Sequence, residues 1–280
     1  MANFMLNLQG KDYPITMIDS EFDFAVLDLL VDKRVNILAS GSSINQVDFS
    51  KICEQPCLFV NGSIELTQRY VFIQATGYVI SDPRFIRHNL AILQTCYHAQ
   101  CPLLITQSVL LELAKKCPEF ICQFYPNIYL IFAVDRLILA IKKLGWLMTL
   151  KQKLFDKKCS LADFVHSPHH IIKDNIGTSL DIRQGFVEAG TVAFVATQLA
   201  FSMGFKDIRL FGVDLINASE PRFYENHQNA APSKLEPAIY NRIVPSFDLL
   251  ATTYSQQGVT VGNASPISKD LFTFLPFIVT

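Results

Sequence analysis

The 280-residue chain contains no run of about 18 consecutive apolar residues, the length that a membrane-spanning helix requires, although half of its residues are hydrophobic. Its start also lacks a basic segment followed by an apolar core, so we expect no signal peptide and a cytoplasmic location. The formal net charge of −1 gives no global attraction for nucleic acid, which we do not expect as a partner. An apolar chain without a spanning segment is typical of proteins that work at an apolar surface or on an apolar substrate.

Sequence signals for bound metals and for disulfides are also missing. The chain has no DxD motif, no Walker loop and no GxGxxG motif. His166, His169 and His170 surround Pro168, but zinc would need further ligands at suitable spacing, so we predict no metal and no cofactor. The cysteines are odd in number and form no CxxC pair, which indicates free thiols in a reducing compartment. They are Cys53, Cys57, Cys96, Cys101, Cys117, Cys122 and Cys159.

Residues 190–214 carry the clearest secondary-structure pattern. No residue in 192–203 is charged, which predicts a helix buried inside a sizeable domain. Thr191 is the predicted N-cap, whose hydroxyl accepts a hydrogen bond from the first turn, and Gly204 is the predicted left-handed residue after the helix. Residues 208–211 then predict a short strand that ends at a polar corner.

Three earlier strand-like runs also end in polar residues, and they follow one another at regular spacing. They are 35–39, 57–60 and 78–80. Helical stretches fit the gaps, so the βαβαβ pattern predicts an α/β fold with a mostly parallel sheet and helices on both faces. We interpret residues 1–30 as a preamble with a short helix. The sequence shows no repeat, low-complexity tract or linker, so residues 1–280 are predicted to form a single domain.

The polar residues after these strands are the candidate ligand-binding residues. Ligands of open α/β sheets bind outside the carboxyl ends of the strands, where glycine permits close approach and N–H groups and hydroxyls face an anion. Asn61 both donates and accepts, which suits a nucleobase edge or a ribose. Ordinary tight turns and a structural ion pair between Asp82 and Arg84 are the alternatives. The candidates are Gly41, Ser42, Ser43, Asn61, Asp82, Arg84, Thr191, Gly212 and Asp214.

Residues 216–240 are polar and aromatic and follow a strand end, which predicts a small lid. Within it, Arg222 suits a phosphate or a carboxylate, and Tyr224 suits donation to a leaving phosphate. Glu225 or His227 would take a proton from an attacking group. A surface loop also collects such residues by chance, which is the alternative interpretation.

Residues 136–158 form a basic amphipathic insert. Seven lysine or arginine side chains stand against one acid, Asp156, and leucines and Trp146 alternate with them. This composition suits the headgroup zone of an anionic membrane. A solvated helix that covers the core with its lysine stems is the alternative.

The ordered motifs resemble a known family. They are SGSS at 40–43, VNGS at 60–63, YVISDPRF at 78–85, TVAFVATQLAFSMGFKDIRLFGVDL at 191–215, RFYEN at 222–226 and NASPIS near the end. In this order they resemble the lipopolysaccharide core biosynthesis proteins that add a third Kdo sugar to the inner core. They are more distantly similar to bacterial CMP-sialic-acid transferases.

The resemblance implies a Rossmann-like glycosyltransferase, a variant of the GT-A type, that uses a CMP-activated 2-keto sugar acid without an essential metal. It implies a lipid A–core acceptor and a place at the inner face of the inner membrane. It implies donor-binding roles for the polar strand-end candidates and for Arg222, and catalytic roles for Tyr224, Glu225 and His227. The histidine base of the sialyltransferases lies in a different local context, so His227 matches it only loosely.

The leading hypothesis is transfer of Kdo from CMP to the lipopolysaccharide inner core. A sialyltransferase that uses CMP-sialic acid is one alternative. A pterin diphosphokinase-like enzyme with a similar Gly–Asp corner is a second, and a non-catalytic nucleotide- or lipid-binding protein is a third. The linkage formed and the oligomeric state do not follow from the sequence.

Overall fold

A computed structural model describes residues 2–27, 34–134, 167–216, 221–225 and 238–279. Its strands are β1 (Asn3–Leu8), β2 (Lys11–Met17), β3 (Arg34–Leu38), β4 (Pro56–Val60), β5 (Gln74–Ile80), β6 (Leu103–Thr106), β7 (Ile128–Ile131), β8 (His170–Lys173), β9 (Ile176–Ser179), β10 (Asp207–Phe211) and β11 (Thr260–Asn263). Nine of these strands form one sheet in the order β1-β2-β7-β6-β5-β4-β3-β10-β11, and β8 and β9 form a separate hairpin.

The described helices lie between these strands and on both faces of the sheet. They are α1 (Phe49–Ile52), α2 (Pro83–Cys96), α3 (Gln107–Lys116), α4 (Pro118–Phe124), α5 (Val192–Ser202) and α6 (Val244–Ser255). Short 3₁₀ segments replace helices in other connections, and a π-helical turn at Ile239–Ile243 precedes α6. None of the described helices is long and apolar enough to cross a membrane.

Alternating side chains of the central strands divide the core into two layers. In β4, Leu58 and Val60 belong to a cluster with α5 and α6, whereas Cys57 and Phe59 belong to a cluster with α2, α3 and α4. Because both faces are covered, the central strands consist mainly of apolar residues. The prediction of an α/β fold with a mostly parallel sheet and helices on both faces is confirmed.

The order of the strands creates a switch point between β3 and β10. From β3 the chain adds β4, β5, β6 and β7 in one direction, whereas β10 lies on the other side of β3 and is followed outward by β11. All of these neighbours pair in parallel. The crevice outside the carboxyl ends of β3 and β10 is therefore the place where a doubly wound sheet binds its ligand.

The amino-terminal prediction was wrong. Residues 1–30 do not form a preamble, because β1 and β2 make an antiparallel hairpin and β2 pairs in parallel with β7. Of the helix expected at residues 22–30, the described residues, which end at 27 in this segment, form one 3₁₀ turn at Phe24–Leu27. Pro14 is tolerated within β2 because the pairing with β7 involves only Thr16 and Met17.

The buried helix α5 confirms the central prediction, with one correction. It spans Val192–Ser202, and Gly204 adopts a φ of +98°, as expected for the residue after a helix. Thr191 is the N-cap by position, but its hydroxyl makes no capping hydrogen bond. The buried Gln198 amide oxygen instead accepts from Ser179 N (2.9 Å) and Val187 N (3.0 Å), which fixes the loop before the helix.

Candidate active site

Two backbone hydrogen bonds join the loops at the switch point. Ala39 N donates to Phe211 O (2.8 Å), and Gly41 N donates to Gly212 O (2.9 Å). Gly212 has a φ of +68°, a conformation that glycine adopts without strain. A Cβ atom at Gly41 would overlap the Asp214 carboxyl group and the Gly212 carbonyl, so this close approach requires glycine.

The Asp214 carboxylate ties three loops together. Its Oδ2 accepts from Ser43 N (2.7 Å), and its Oδ1 accepts from Ser43 Oγ (2.5 Å) and from Ser265 Oγ (2.5 Å). Ser265 follows β11, and the neighbouring Ser268 accepts from Leu215 N through its hydroxyl (2.7 Å). We call Asp214, Ser43 and Ser265 the carboxylate clasp; it fixes the loops after β3, β10 and β11 relative to one another.

The loop after β4 lies next in this row of strand ends. Asn61 adopts a left-handed φ of +51°, which asparagine tolerates, and its Oδ1 is buried without a hydrogen-bond partner among the described residues. Ser63 accepts from Val60 N through its hydroxyl (2.9 Å) and holds the turn. A buried acceptor without a donor marks a place where a ligand N–H or O–H group would be favoured.

Tyr224 belongs to the described part of the lid and packs directly on Gly62. A Cβ atom at Gly62 would overlap the Tyr224 ring, so the ring fits only because the residue below it is glycine. Phe223 N donates to Ser40 O (3.2 Å), which attaches the segment to the loop after β3. Burial raises the pKa of Tyr224 to about 12, with smaller opposing contributions from Arg222 and from a hydrogen bond with Ser40. Its hydroxyl is therefore a proton-bearing donor at neutral pH.

Arg222 and Glu225 hold each other beside Tyr224. The Arg222 guanidinium Nη1 donates to Glu225 Oε1 (2.7 Å), and the Arg222 backbone N donates to Glu225 Oε2 (3.1 Å). The Glu225 side chain is only 3% exposed, whereas that of Arg222 is 30% exposed. Glu225 thus orients Arg222, whose guanidinium remains accessible to an anion.

Asp82 and Arg84 pair with each other at the end of β5. The Asp82 carboxylate caps α2 at Arg84 N (2.8 Å) and accepts from Arg84 Nε (2.7 Å). Burial raises the pKa of Asp82, but the hydrogen bonds from Arg84 outweigh it and lower the pKa overall. Two strand spacings separate β5 from β3, which is about 10 Å.

The remaining candidates divide into three groups. Ser42 is half-buried between Gly41 and Ser43. Thr191, at the N-terminus of α5, lies toward the same edge because the helix runs back to the start of β10. His227, most of the lid and the basic insert 136–158 lie outside the described residues.

Sequence reasoning missed two residues that the structure brings into the site. Gly62 supports the Tyr224 ring, and Ser265 completes the carboxylate clasp. Both lie inside motifs that the sequence analysis quoted, VNGS and NASPIS, but their roles depend on contacts with distant segments. Among the described residues, no group of three metal-ligating side chains occurs; His170 is buried and its Nε2 lies 2.9 Å from Gly185 O.

Comparisons with known proteins place the chain in a family. The model of the WaaZ family, described as 3-deoxy-D-manno-octulosonic acid transferase WaaZ, matches residues 24–279. Two relatives carry the name probable 3-deoxy-manno-octulosonic acid transferase. The one from Escherichia coli (strain K12) is 29% identical over 103 residues, 37% of this chain and 35% of the relative. The one from Salmonella typhimurium (strain LT2) is 29% identical over 102 residues, 36% of each.

These alignments span only about a third of the length of the two relatives. Among solved structures, the sialyltransferase CstII from Campylobacter jejuni, in complex with a substrate analogue, cytidine-5′-monophosphate, is 14% identical. That likeness covers 88% of this chain and 84% of CstII, with a TM-score of 0.42. Because the family model covers seven of the nine strands of the sheet and every described residue of the site, the chain belongs to the WaaZ family of 3-deoxy-D-manno-octulosonic acid transferases.

Proposed function

We propose that this protein transfers Kdo, or a related 2-keto sugar acid, from a CMP donor to the lipopolysaccharide inner core. Membership of the family supports the sugar acid. The proposal that the donor is a nucleotide sugar rests on one observation. The loops after β3, β4, β10 and β11 meet at one rim of a doubly wound sheet. This rim is where such sheets bind nucleotides.

The polar groups of the rim suit different parts of a CMP-sugar. The buried Asn61 Oδ1 needs a hydrogen-bond donor. The cytosine amino group and the ribose hydroxyls are donors, whereas a phosphate at neutral pH offers mainly acceptors. Arg222 supplies the positive charge that a phosphate or a sugar carboxylate requires. Asp214 is fully engaged in the clasp, so we assign it to shaping the rim rather than to direct contact with an anionic donor.

Tyr224 and Arg222 are the residues to which we assign stabilisation of the leaving group. In the proposed reaction an acceptor hydroxyl attacks the anomeric carbon, the bond to the CMP phosphate breaks, and negative charge develops on the departing phosphate. A protonated hydroxyl of the half-buried Tyr224 and the Arg222 guanidinium would both stabilise that charge. Because the residues are held by Gly62 and Glu225, little reorganisation is needed.

The base that takes the acceptor proton is the second assignment. Both Glu225 oxygens accept from Arg222, and protonating Glu225 would break that pair. We therefore assign Glu225 to positioning and propose His227, two residues further along the chain, as the base. Replacing His227 with alanine is expected to lower kcat and to remove the acidic limb of the pH–rate profile, whereas an unchanged profile would exclude this assignment.

The direct test measures CMP release by the purified full chain. We expect release that requires both CMP-Kdo and a Kdo-bearing acceptor, and that continues in the presence of a chelator. Release from CMP-sialic acid but not from CMP-Kdo would favour a sialyltransferase. Activity that depends on ATP and magnesium would favour a pterin diphosphokinase-like enzyme. CMP binding that stabilises the protein while the donor stays intact would favour a non-catalytic protein.

Tyr224→Phe separates chemistry from binding. Loss of one donor to a developing negative charge is expected to lower kcat by about 100-fold, while CMP affinity changes by less than about threefold. Tyr125→Phe is the matched control, because the Tyr125 ring makes an edge-to-face contact with Tyr13 of β2, far along the sheet from the site. Equal activities of the two variants would refute the role of Tyr224.

The basic insert 136–158 is proposed to hold the enzyme against an anionic membrane at its cytoplasmic face. Its support is the excess of seven basic residues over one acid, with Trp146 among them. Co-sedimentation with phosphatidylglycerol vesicles, but not with phosphatidylcholine vesicles, is the expected result. Binding that ignores lipid charge, or that survives replacement of these lysines by glutamine, would contradict the proposal.

A further inference from the structure

A cavity lies near the amino-terminal end of β5, whereas the candidate active site lies at the carboxyl ends of the strands. It has a volume of about 500 Å³ and is bounded by the segment before β5, by the start of β5 and by the end of α2. Gln74 begins β5 and Ile80 ends it, so about 20 Å of strand separates the cavity from the rim that we assign to the donor. The cavity is within the size range of small-molecule sites.

The described residues that line this cavity carry no charge and combine polar and aromatic side chains with apolar ones, among them Val71 and Ile73. Glutamine and threonine side chains alternate with Tyr70, Phe72 and Tyr97 along its wall. His98 also lines it, and burial lowers its pKa, so it stays neutral at neutral pH. Arg69 is the nearest cation in the sequence, but its guanidinium pairs with Glu65 (2.9 Å) and packs over Phe223 instead.

One buried acceptor in the wall indicates the chemistry of the ligand. Gln74 Oε1 is buried and has no hydrogen-bond partner among the described residues. An acyl chain would leave it unpaired, and a phosphate or carboxylate would bring further acceptors without a cation to balance them. A neutral ligand that is rich in hydroxyl groups provides both donors for Gln74 and apolar ring faces for the aromatic side chains.

We propose that this cavity binds a neutral saccharide unit, separately from the sugar-nucleotide site. The entrance supports this assignment, because Tyr70 is 39% exposed and stacks on Phe49 with 4.4 Å between ring centroids, which holds its ring in place. Gln68, Thr95 and Gln100 surround the entrance with side-chain amides and a hydroxyl. The site does not depend on the proposed transfer, so the two assignments fail or succeed independently.

The test is saturation-transfer NMR and calorimetry of the full chain with maltose, lactose and N,N′-diacetylchitobiose. We expect millimolar binding of at least one disaccharide, unaffected by saturating CMP. Gln74→Leu is expected to weaken it by about tenfold or more, because the acceptor is lost. Gln100→Ala at the entrance is expected to weaken it by about threefold without entering the core. Gln257→Leu, an exposed amide after α6, is the matched control.

Three results would overturn the proposal. If none of the three disaccharides binds, a saccharide is excluded as the ligand of this cavity. Equal affinities for the parent protein and the Gln74 and Gln100 variants would exclude this location. Binding of octyl glucoside but not of the free disaccharides would assign the cavity to an acyl chain instead. If Gln74→Leu fails to fold, the Gln100→Ala variant and the control still decide the outcome.

Discussion

The carboxylate clasp at Asp214 allows a quantitative test of how the rim is built. Three hydrogen bonds reach this carboxylate, two from Ser43 and one from Ser265. Hydrogen bonds to a charged group contribute about 1.5–3 kcal/mol each, and the lower end applies because the site is only partly buried. Asp214→Asn removes the negative charge that strengthens all three bonds, and its N–H₂ group would face the two serine hydroxyls, which must then rotate to accept. We expect it to lower the free energy of unfolding by about 2–4 kcal/mol.

Ser265→Ala isolates a single bond of the clasp, and its expected cost is about 1.5 kcal/mol. If Ser265 acts through Asp214, the same change made in the Asp214→Asn background should cost less than about 0.5 kcal/mol. Urea unfolding of the four proteins in this cycle measures the coupling directly. Ser255→Ala, at the exposed end of α6, is the matched control and should change the stability by less than about 0.5 kcal/mol.

The same variants test whether the clasp prepares the rim for a ligand. We expect CMP to raise the Tm of the parent protein and of Ser255→Ala, but to raise that of Asp214→Asn much less. The reasoning is refuted if Asp214→Asn unfolds within about 0.5 kcal/mol of the parent protein and shows no coupling to Ser265.

Three further predictions concern separate parts of the fold. Gly62→Ala should displace the Tyr224 ring and abolish most CMP release while the Tm falls only slightly; full activity would contradict this packing. Gln198→Leu leaves three buried backbone groups unpaired and should cost about 3 kcal/mol or more in urea unfolding, and a loss below about 1 kcal/mol would contradict it. Burial lowers the pKa of His170 in the folded protein, so as the pH falls this side chain is protonated in the unfolded chain before it is protonated in the folded one. The Tm should therefore fall as the pH decreases below about 6.5, and His170→Asn should reduce that slope.

The central sheet could be predicted from the sequence because its strands are covered on both faces. Such strands appear as short apolar runs, and 35–39, 57–60 and 208–211 lie within one or two residues of β3, β4 and β10. The polar residues after them were predicted to share one edge, and the loops of Gly41, Asn61 and Asp214 do follow neighbouring strands. A parallel sheet makes this inference possible, since all carboxyl ends then lie on the same side.

The amino-terminal hairpin could not be recognised as easily. Burial alternates only weakly along β1; it alternates clearly along β2, where Tyr13, Ile15 and Met17 are buried, but Pro14 in that run disfavours a central strand. A local signal did exist, because a glycine such as Gly10 is typical of a tight hairpin turn. In the structure Gln9 and Gly10 adopt φ values of +52° and +82°, as the two central residues of such a turn do. The sequence contains no local signal for the pairing of β2 with β7, because β7 lies more than a hundred residues further along the chain.

The role of individual polar residues was also beyond the sequence. Asp214 was predicted to contact a ligand, but its partners lie 171 and 51 residues away, so its place in the clasp depends on tertiary structure. Glu225 was predicted as a possible base, and only its pairing with the half-buried Arg222 indicates a positioning role. Residue type drew attention to these loops, whereas partners at long range determine which contacts each side chain makes.

The place of β10 beside β3 has a consequence for synthesis of the protein. Arg34 and Asp207 are paired across these strands although 173 residues separate them. A nascent chain on the ribosome therefore carries one open, apolar edge of β3 until three quarters of its length has been made. The rim that we propose to bind the nucleotide is complete only when β10 has been made, so a fragment that ends before residue 207 is expected to aggregate and to have no affinity for CMP.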